Sequence, residues 1–263
     1  MTMKDKLKSV FFYLFVIGGS LYVGYYVMIV FFIARFSVPS DSMAPAIMPG
    51  DRAVVNKLAY GARIFDVADT IHHGDIIRLW GYSEPKRNDI VVFNFPYPKG
   101  WHSIRFDVMK YYVKRIGALP GDTFEIVGGY NKVRGYEGVI GSGNNQEILA
   151  MMTSPELVDS YPIEMRSFPR DRVLGWTVRD MGPIYVPRKG DTVELTRENR
   201  LFYGRLIEWE TDGACVADTT MRSYTFKENY YFVLGDNAVN SQDSRYWGLL
   251  PEEFIVGRVD MLW

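Results

Sequence analysis

From Val10 to Ala34 the chain runs for 25 residues without a charged side chain. A helix rises about 1.5 Å per residue, so about 20 apolar residues cross the roughly 30 Å hydrocarbon core of a bilayer. The run is long enough to span with some tilt. Tyr13 near its start and Phe31 and Phe32 near its end stand where interfacial aromatic side chains concentrate.

Two other readings compete with a membrane span. A soluble core helix seldom needs so long a run without a charge. A cleaved signal peptide has a basic start, which Lys4, Lys6 and Lys8 against Asp5 supply. Its apolar region, however, is typically about 7–15 residues. The Ala44-Pro45-Ala46 triplet also lies ten residues past the run. The expectation is therefore a cytoplasmic tail over 1–9 and a transmembrane anchor over 10–35. Lysines before the span, against Arg35 after it, put the N-terminus in the cytoplasm. Residues 36–263 then fold on the extracytoplasmic side of the cytoplasmic membrane.

Charge and composition remove several classes of function. Thirty Lys+Arg against 31 Asp+Glu leave a net charge of −1, with no basic excess to neutralise phosphates. The partners expected are therefore a lipid bilayer and no nucleic acid. Cys215, the single cysteine, excludes an internal disulfide framework. Only three histidines are present, and His72-His73 are adjacent beside a turn. Adjacent strand residues face opposite sides, so no metal site and no cofactor are expected. A monomer is expected.

The remainder carries β signals. Ala53-Val54-Val55, Asp75 to Leu79, Ile90 to Phe93 and Tyr230 to Leu234 are short runs rich in β-branched or aromatic residues. A Gly-Asp turn precedes or opens several strand-like runs, at Gly50-Asp51, Gly74-Asp75, Gly121-Asp122 and Gly190-Asp191. The pattern predicts a mainly β, antiparallel fold rather than βαβ units. Residues 128–145 carry six glycines and three asparagines, and a Met/Ser/Pro stretch follows. The expectation is a β domain in two parts, 36–125 and 228–263, which the motifs described below make the catalytic one. A second, smaller β-rich domain over 126–227 interrupts it.

Three clusters could carry chemistry, and each also has an ordinary reading. Phe36 to Pro45 places Ser40 and Ser42 just past the span, and alone it reads as a Ser/Asp/Pro linker. Tyr111-Tyr112-Val113-Lys114-Arg115-Ile116 interrupts an apolar run with a lysine, which on a strand is ordinarily solvated. Gly235 to Gly248 holds Ser241, Asp243, Arg245 and Trp247, in what could be a polar turn series.

Taken together the three resemble bacterial type I signal peptidases. Ser40-x-Ser42-Met43-x-Pro45 comes first, Tyr112-Val113-Lys114-Arg115 second, and Gly235-Asp236-Asn237 with Asn240-Ser241-x-Asp243-Ser244-Arg245-x-Trp247-Gly248 last. Arg87-Asn88-Asp89 followed by Ile90-Val91-Val92-Phe93 is similar to the family's Arg-Gly-Asp strand. The order is the family's, and the likeness is weak across roughly 126–227. The residues suit such chemistry. A serine hydroxyl needs a neighbour to take its proton, and with so few histidines lysine is the candidate base. A lysine with a pKa of about 10.4 is neutral about once in a thousand near pH 7.4, so it must be buried to serve.

The resemblance implies Ser42 as nucleophile and Lys114 as general base. Ser40, with the Ser42 backbone N–H, would stabilise the oxyanion. Ser241 would orient the lysine amine, and Asp243 and Arg245 would form a supporting ion pair. Phe36, Val38, Met43, Ile47, Tyr112 and Val113 would line pockets for small residues at −1 and −3. The implied activity is serine endopeptidase removal of signal peptides from exported preproteins.

Three positions depart from the pattern: Ala238-Val239 stand where the family has Arg-Asp, and Asn88 where it has Gly. Ser83-x-x-Lys86 has no Lys-Thr-Gly partner, and Pro85 makes it a turn. The alternatives are a specialised processing peptidase of the same fold, or a catalytically silent anchored scaffold. LexA-type repressors resemble the first two motifs but carry a DNA-binding head where this chain has an apolar run.

Overall fold

The structure, a computed structural model, describes residues 3–66, 71–213 and 220–262. Helix α1 (Met3–Val27) continues into a π-helical turn, Met28–Phe32. Within α1, Lys6–Val27 is long and apolar enough to cross a membrane, and it has no protein packed around it. The helix stops short of the expected boundary at residue 35. Strand β1 (Ile33–Ser37) takes over, because its backbone finds antiparallel partners in β2 (Arg52–Asn56). The Lys57 amide and amine fasten the joint by donating to the carbonyls of Phe32 (2.9 Å) and Ile29 (2.9 Å). No linker separates α1 from the sheet.

Strands β3 (Arg63–Ile64) and β4 (Ile77–Arg78) form a small hairpin, and β5 (Ile90–Asn94) and β6 (Tyr111–Ala118) return to the main sheet. Next come β7 (Thr123–Val127), β8 (Tyr130–Val133), helices α2 (Gly143–Met151) and α3 (Pro155–Asp159), and β9 (Met181–Tyr185). β10 (Thr192–Glu194) and β11 (Ser223–Thr225) flank helix α4 (Arg197–Glu210). β12 (Tyr230–Leu234), α5 (Ser244–Trp247), β13 (Leu250–Pro251) and β14 (Ile255–Leu262) close the chain. The main sheet runs β1-β2-β14-β5-β6-β12-β13, and a second sheet runs β8-β7-β9. Every strand pair is antiparallel. The fold is mainly β, as the sequence patterning predicts.

The Gly-Asp turns share one construction. Gly50, Gly74, Gly121 and Gly190 all have φ between 86° and 96°, a region that favours glycine. Each following aspartate accepts a hydrogen bond from the backbone N–H three residues earlier: Met48 to Asp51, His72 to Asp75, Leu119 to Asp122 and Arg188 to Asp191, at 2.7–2.8 Å. Arg87-Asn88-Asp89 forms the same turn, with Asn88 at φ 68° and Asp89 accepting from Lys86 N at 2.9 Å. Asparagine tolerates that conformation far better than most side chains. The departure from glycine at position 88 therefore leaves the turn intact.

The segment 126–227 has two features that the patterning does not show. It contains α2, α3 and α4 besides its strands. Its apolar residues also join one continuous core with the main sheet, where Trp209 packs against Phe254 at 5.4 Å and Phe226 against Tyr230 at 5.6 Å. α4 forms because Thr196 caps it, accepting from Asn199 N, and because one apolar face buries Phe202, Tyr203, Leu206, Ile207 and Trp209.

Candidate active site

The two strands that carry the motifs are neighbours. β6 pairs with β12 so that Arg115 lies opposite Leu234, which brings Gly235 and Asp236 beside Lys114. The loop after β1 folds over this edge. Lys114 Nζ donates to Ser42 Oγ at 2.7 Å and to the Val113 carbonyl at 2.9 Å. Ser42 is half-buried, while Lys114 is only 3% exposed. The Tyr112 ring flanks the amine, with its centroid 5.6 Å from Nζ.

Burial is the main influence on this amine. It disfavours the ammonium, and the Arg245 guanidinium adds to that, while Asp243 and Asp236 oppose it. The balance brings the Lys114 pKa down from 10.5 to about 8. A substantial fraction is then neutral near physiological pH. Ser40 Oγ lies 3.3 Å from Ser42 Oγ, close enough for its hydroxyl to face charge developing nearby.

Asp243 and Arg245 form a buried fork. Arg245 Nε and NH2 donate to the two Asp243 oxygens at 2.8 and 2.7 Å, and both residues are 2% exposed or less. Burial alone would raise the Asp243 pKa, but the Arg245 charge and hydrogen bonds hold it below the usual carboxylate range. Asp243 also accepts from Gly235 N at 2.9 Å, and Arg245 NH1 donates to the Ala238 carbonyl at 2.7 Å. That last contact uses backbone, so it survives the departure from the family's Arg-Asp pattern.

Ser241 is buried beside Gly235, but among the described residues its hydroxyl has no hydrogen-bond partner, Lys114 included. The expected orienting contact is thus absent from this arrangement. A methyl group at Gly235 would come within 2.0 Å of Ser241 Oγ and 2.5 Å of the Ser42 carbonyl, so only glycine fits.

The expected pocket residues divide. Val38, Met43, Ile47 and Val113 gather in one apolar cluster, where Met43 and Ile47 are fully buried and form its floor. Phe36 packs with Val113 in an adjoining cluster and against Tyr111. Tyr112 turns the other way, stacking on Phe95 at 4.3 Å in the large core.

Several site residues escaped the sequence reading. Arg115 forks onto Asp236 at 2.7 and 2.5 Å. Asp41 accepts from Asn240 Nδ2 at 3.0 and 3.1 Å and from Asn237 Nδ2 at 3.3 Å, which ties the serine loop to the C-terminal motif. Both partners lie inside quoted motifs, but sequence does not say that they meet. Away from the site, His73, Glu228 and Glu253 place ligand-type atoms within 4.8 Å of one another. Burial would lower the His73 pKa, but the two carboxylates push it up to about 10, so they serve an imidazolium.

A serine hydroxyl held against a desolvated amine is an arrangement suited to serine hydrolases. A family profile described as signal peptidase, peptidase S26, matches residues 6–140 and 186–263, so the chain belongs to that family and is a serine endopeptidase. It is similar to Signal peptidase I of Buchnera aphidicola subsp. Baizongia pistaciae, 27% identical over 90% of this chain and 73% of that one. It is 29% identical to Signal peptidase I of Aquifex aeolicus, over 87% of this chain and 74% of the relative. Against Signal peptidase I of Pseudomonas aeruginosa it is 27% identical, over 89% of this chain and 65% of the relative.

Proposed function

We propose that this protein is a membrane-anchored endopeptidase that removes signal peptides from exported preproteins with a Ser42–Lys114 dyad. The observation that carries this reading is the 2.7 Å contact between Ser42 Oγ and a buried Lys114 amine. Neutral Lys114 takes the proton from Ser42 as its oxygen attacks the scissile carbonyl. The oxyanion is met by the Ser42 N–H and the Ser40 hydroxyl. Lys114 then returns the proton to the leaving amine, and water hydrolyses the acyl-enzyme by the reverse use of the same base.

The anchor supports this use. α1 continues through the π-helical turn into β1 without a linker, so Ser42 lies ten residues past the end of that turn. A cleavage site presented at the bilayer surface would be within reach. Asp243, Arg245 and Gly235 hold the C-terminal loop against the serine, and Val38, Phe36 and Val113 shape a shallow apolar site that admits small side chains. The N-terminus is cytoplasmic, the catalytic part extracytoplasmic, and the enzyme works as a monomer.

The test uses the full chain in detergent micelles with a preprotein carrying alanine at −1 and −3. Cleavage at that bond is expected, read by N-terminal sequencing of the product. Phenylalanine at −1 should lower the rate about 10- to 100-fold, because overfilling a close-packed pocket costs roughly 1–3 kcal/mol. Equal cleavage of both preproteins would overturn the assigned specificity.

A further inference from the structure

We infer that Asn145, on helix α2, is a positioning residue for the serine loop. The inference rests on the reading of Ser42 as nucleophile. α2 lies between the two stretches that match the family, in the segment expected from sequence to form the second, smaller β-rich domain.

Asn145 Nδ2 donates to the Ala44 carbonyl at 2.9 Å and to the Asp236 carbonyl at 2.5 Å. Ala44 follows Ser42 by two residues. Asp236 belongs to the loop against Ser42, where Asn237 N donates to the Ser42 carbonyl at 3.1 Å. One side-chain amide therefore joins the loop that carries the nucleophile to the loop that holds it. The NH2 group has two hydrogens, so it can serve both carbonyls at once, which the carboxylate of an aspartate cannot.

The helix that presents this amide is itself fixed. Gln146 accepts from Asn131 N at 2.8 Å and donates to the Ile140 carbonyl at 2.8 Å, and Leu149 is buried. A methyl group at Gly129 would meet Ala150 at 2.7 Å, so the β7–β8 turn lies directly on the helix. At its leading end, Asn88 Oδ1 accepts from Gly141 N, and Asn88 Nδ2 donates to the Val139 carbonyl, both at 2.9 Å. The Asn88 carbonyl accepts from Arg115, the neighbour of Lys114. Asparagine at position 88 thus does what the family's glycine could not: it ties this segment to the strand of the base.

The contacts lie at carbonyls flanking the reacting group, so Asn145 acts through placement and not on substrate. Misplacing a nucleophile by about 1 Å can cost on the order of 100-fold in rate. The test measures kcat and KM of the full chain in micelles on a fluorogenic peptide with alanine at −1 and −3. The variants are Asn145→Ala, Asn145→Asp and Asn145→Gln, with Glu147→Ala as a control on the exposed side of α2. Asn145→Ala should lower kcat about 10-fold, with KM within about twofold. Asn145→Asp should be slower still, because it sets a carboxylate against two carbonyls. Asn145→Gln should recover part of the loss, and Glu147→Ala should behave as the parent.

A role in packing alone predicts the opposite order, since aspartate matches asparagine in shape. Asn145→Asp at or above Asn145→Ala would overturn the inference, as would kcat within twofold in all three. If the alanine variant fails to fold, Asn145→Gln against Asn145→Asp gives the same contrast. Ser42→Ala is run alongside. Its inactivity with fully active Asn145 variants overturns this inference alone, whereas an active Ser42→Ala overturns the nucleophile assignment as well.

Discussion

Lys114→Met is expected to abolish cleavage while leaving the fold intact and raising its stability near neutral pH. Methionine matches the length of the lysine stem and suits the apolar surroundings of Tyr112 and Ile116, but it cannot take a proton. A positioned base contributes roughly 10²–10⁴-fold, so kcat/KM should fall by about 1000-fold or more. Ser42→Ala should fall as far, and the double variant little further, because the two groups act as one unit.

The stability effect follows from the same burial. The folded amine releases its proton near pH 8, whereas an ordinary lysine holds it to 10.5. Between these values the unfolded chain binds more protons, so stability rises with pH there. Below pH 8 the full penalty applies, on the order of 3 kcal/mol. Methionine removes it, and Tm at pH 7 should rise by about 5 °C or more. The gain should shrink as pH climbs from 8 towards 10.5. An unchanged or lower Tm at pH 7 would show that the amine is not held at a cost.

The second large effect lies at the Asp243–Arg245 fork. Arg245→Met leaves a carboxylate that is 0% exposed without its cation. Removing one partner of a buried pair costs about 3–5 kcal/mol. Asp243→Ala should cost a similar amount, and it also releases Gly235 N, which draws the loop off Ser42. Because the pair is held by mutual charge, replacing both with Asp243→Leu and Arg245→Met should recover much of the stability. It should not recover activity, since the Gly235 contact is still missing. Denaturant midpoints with parallel kcat measurements check this. A double variant as active as the parent would remove the fork from any role in placing the loop.

The sequence showed most plainly what is written in contiguous residues. The uncharged run, the Gly-Asp turns and the three motifs each lie within a short window, and the antiparallel β class followed from them. What stayed hidden depends on distant pairs. Arg115 and Asp236 are 121 positions apart, and Asn145 and Ala44 are 101 apart, so nothing local links them. The end of α1 is not written in the uncharged run, because a strand partner, and not a charge, terminates the helix. Helix α4 is legible in principle, from Thr196 as cap and the periodic Phe202, Leu206 and Trp209. The glycine and β signals of the segment before it mask that pattern. Strand alternation puts Tyr112 on the opposite face of β6 from Val113, where its ring stacks on Phe95 and flanks the Lys114 amine.

The central claim is that Lys114 works as a neutral base on Ser42, and its most direct test is kcat/KM from pH 6 to 10. The full chain in micelles is assayed on the peptide with alanine at −1 and −3. The account predicts a tenfold rise per pH unit on the acid side, bending to a plateau near pH 8, where Lys114 loses its proton. A flat profile from pH 6 to 9, or a fall above pH 7, would contradict it.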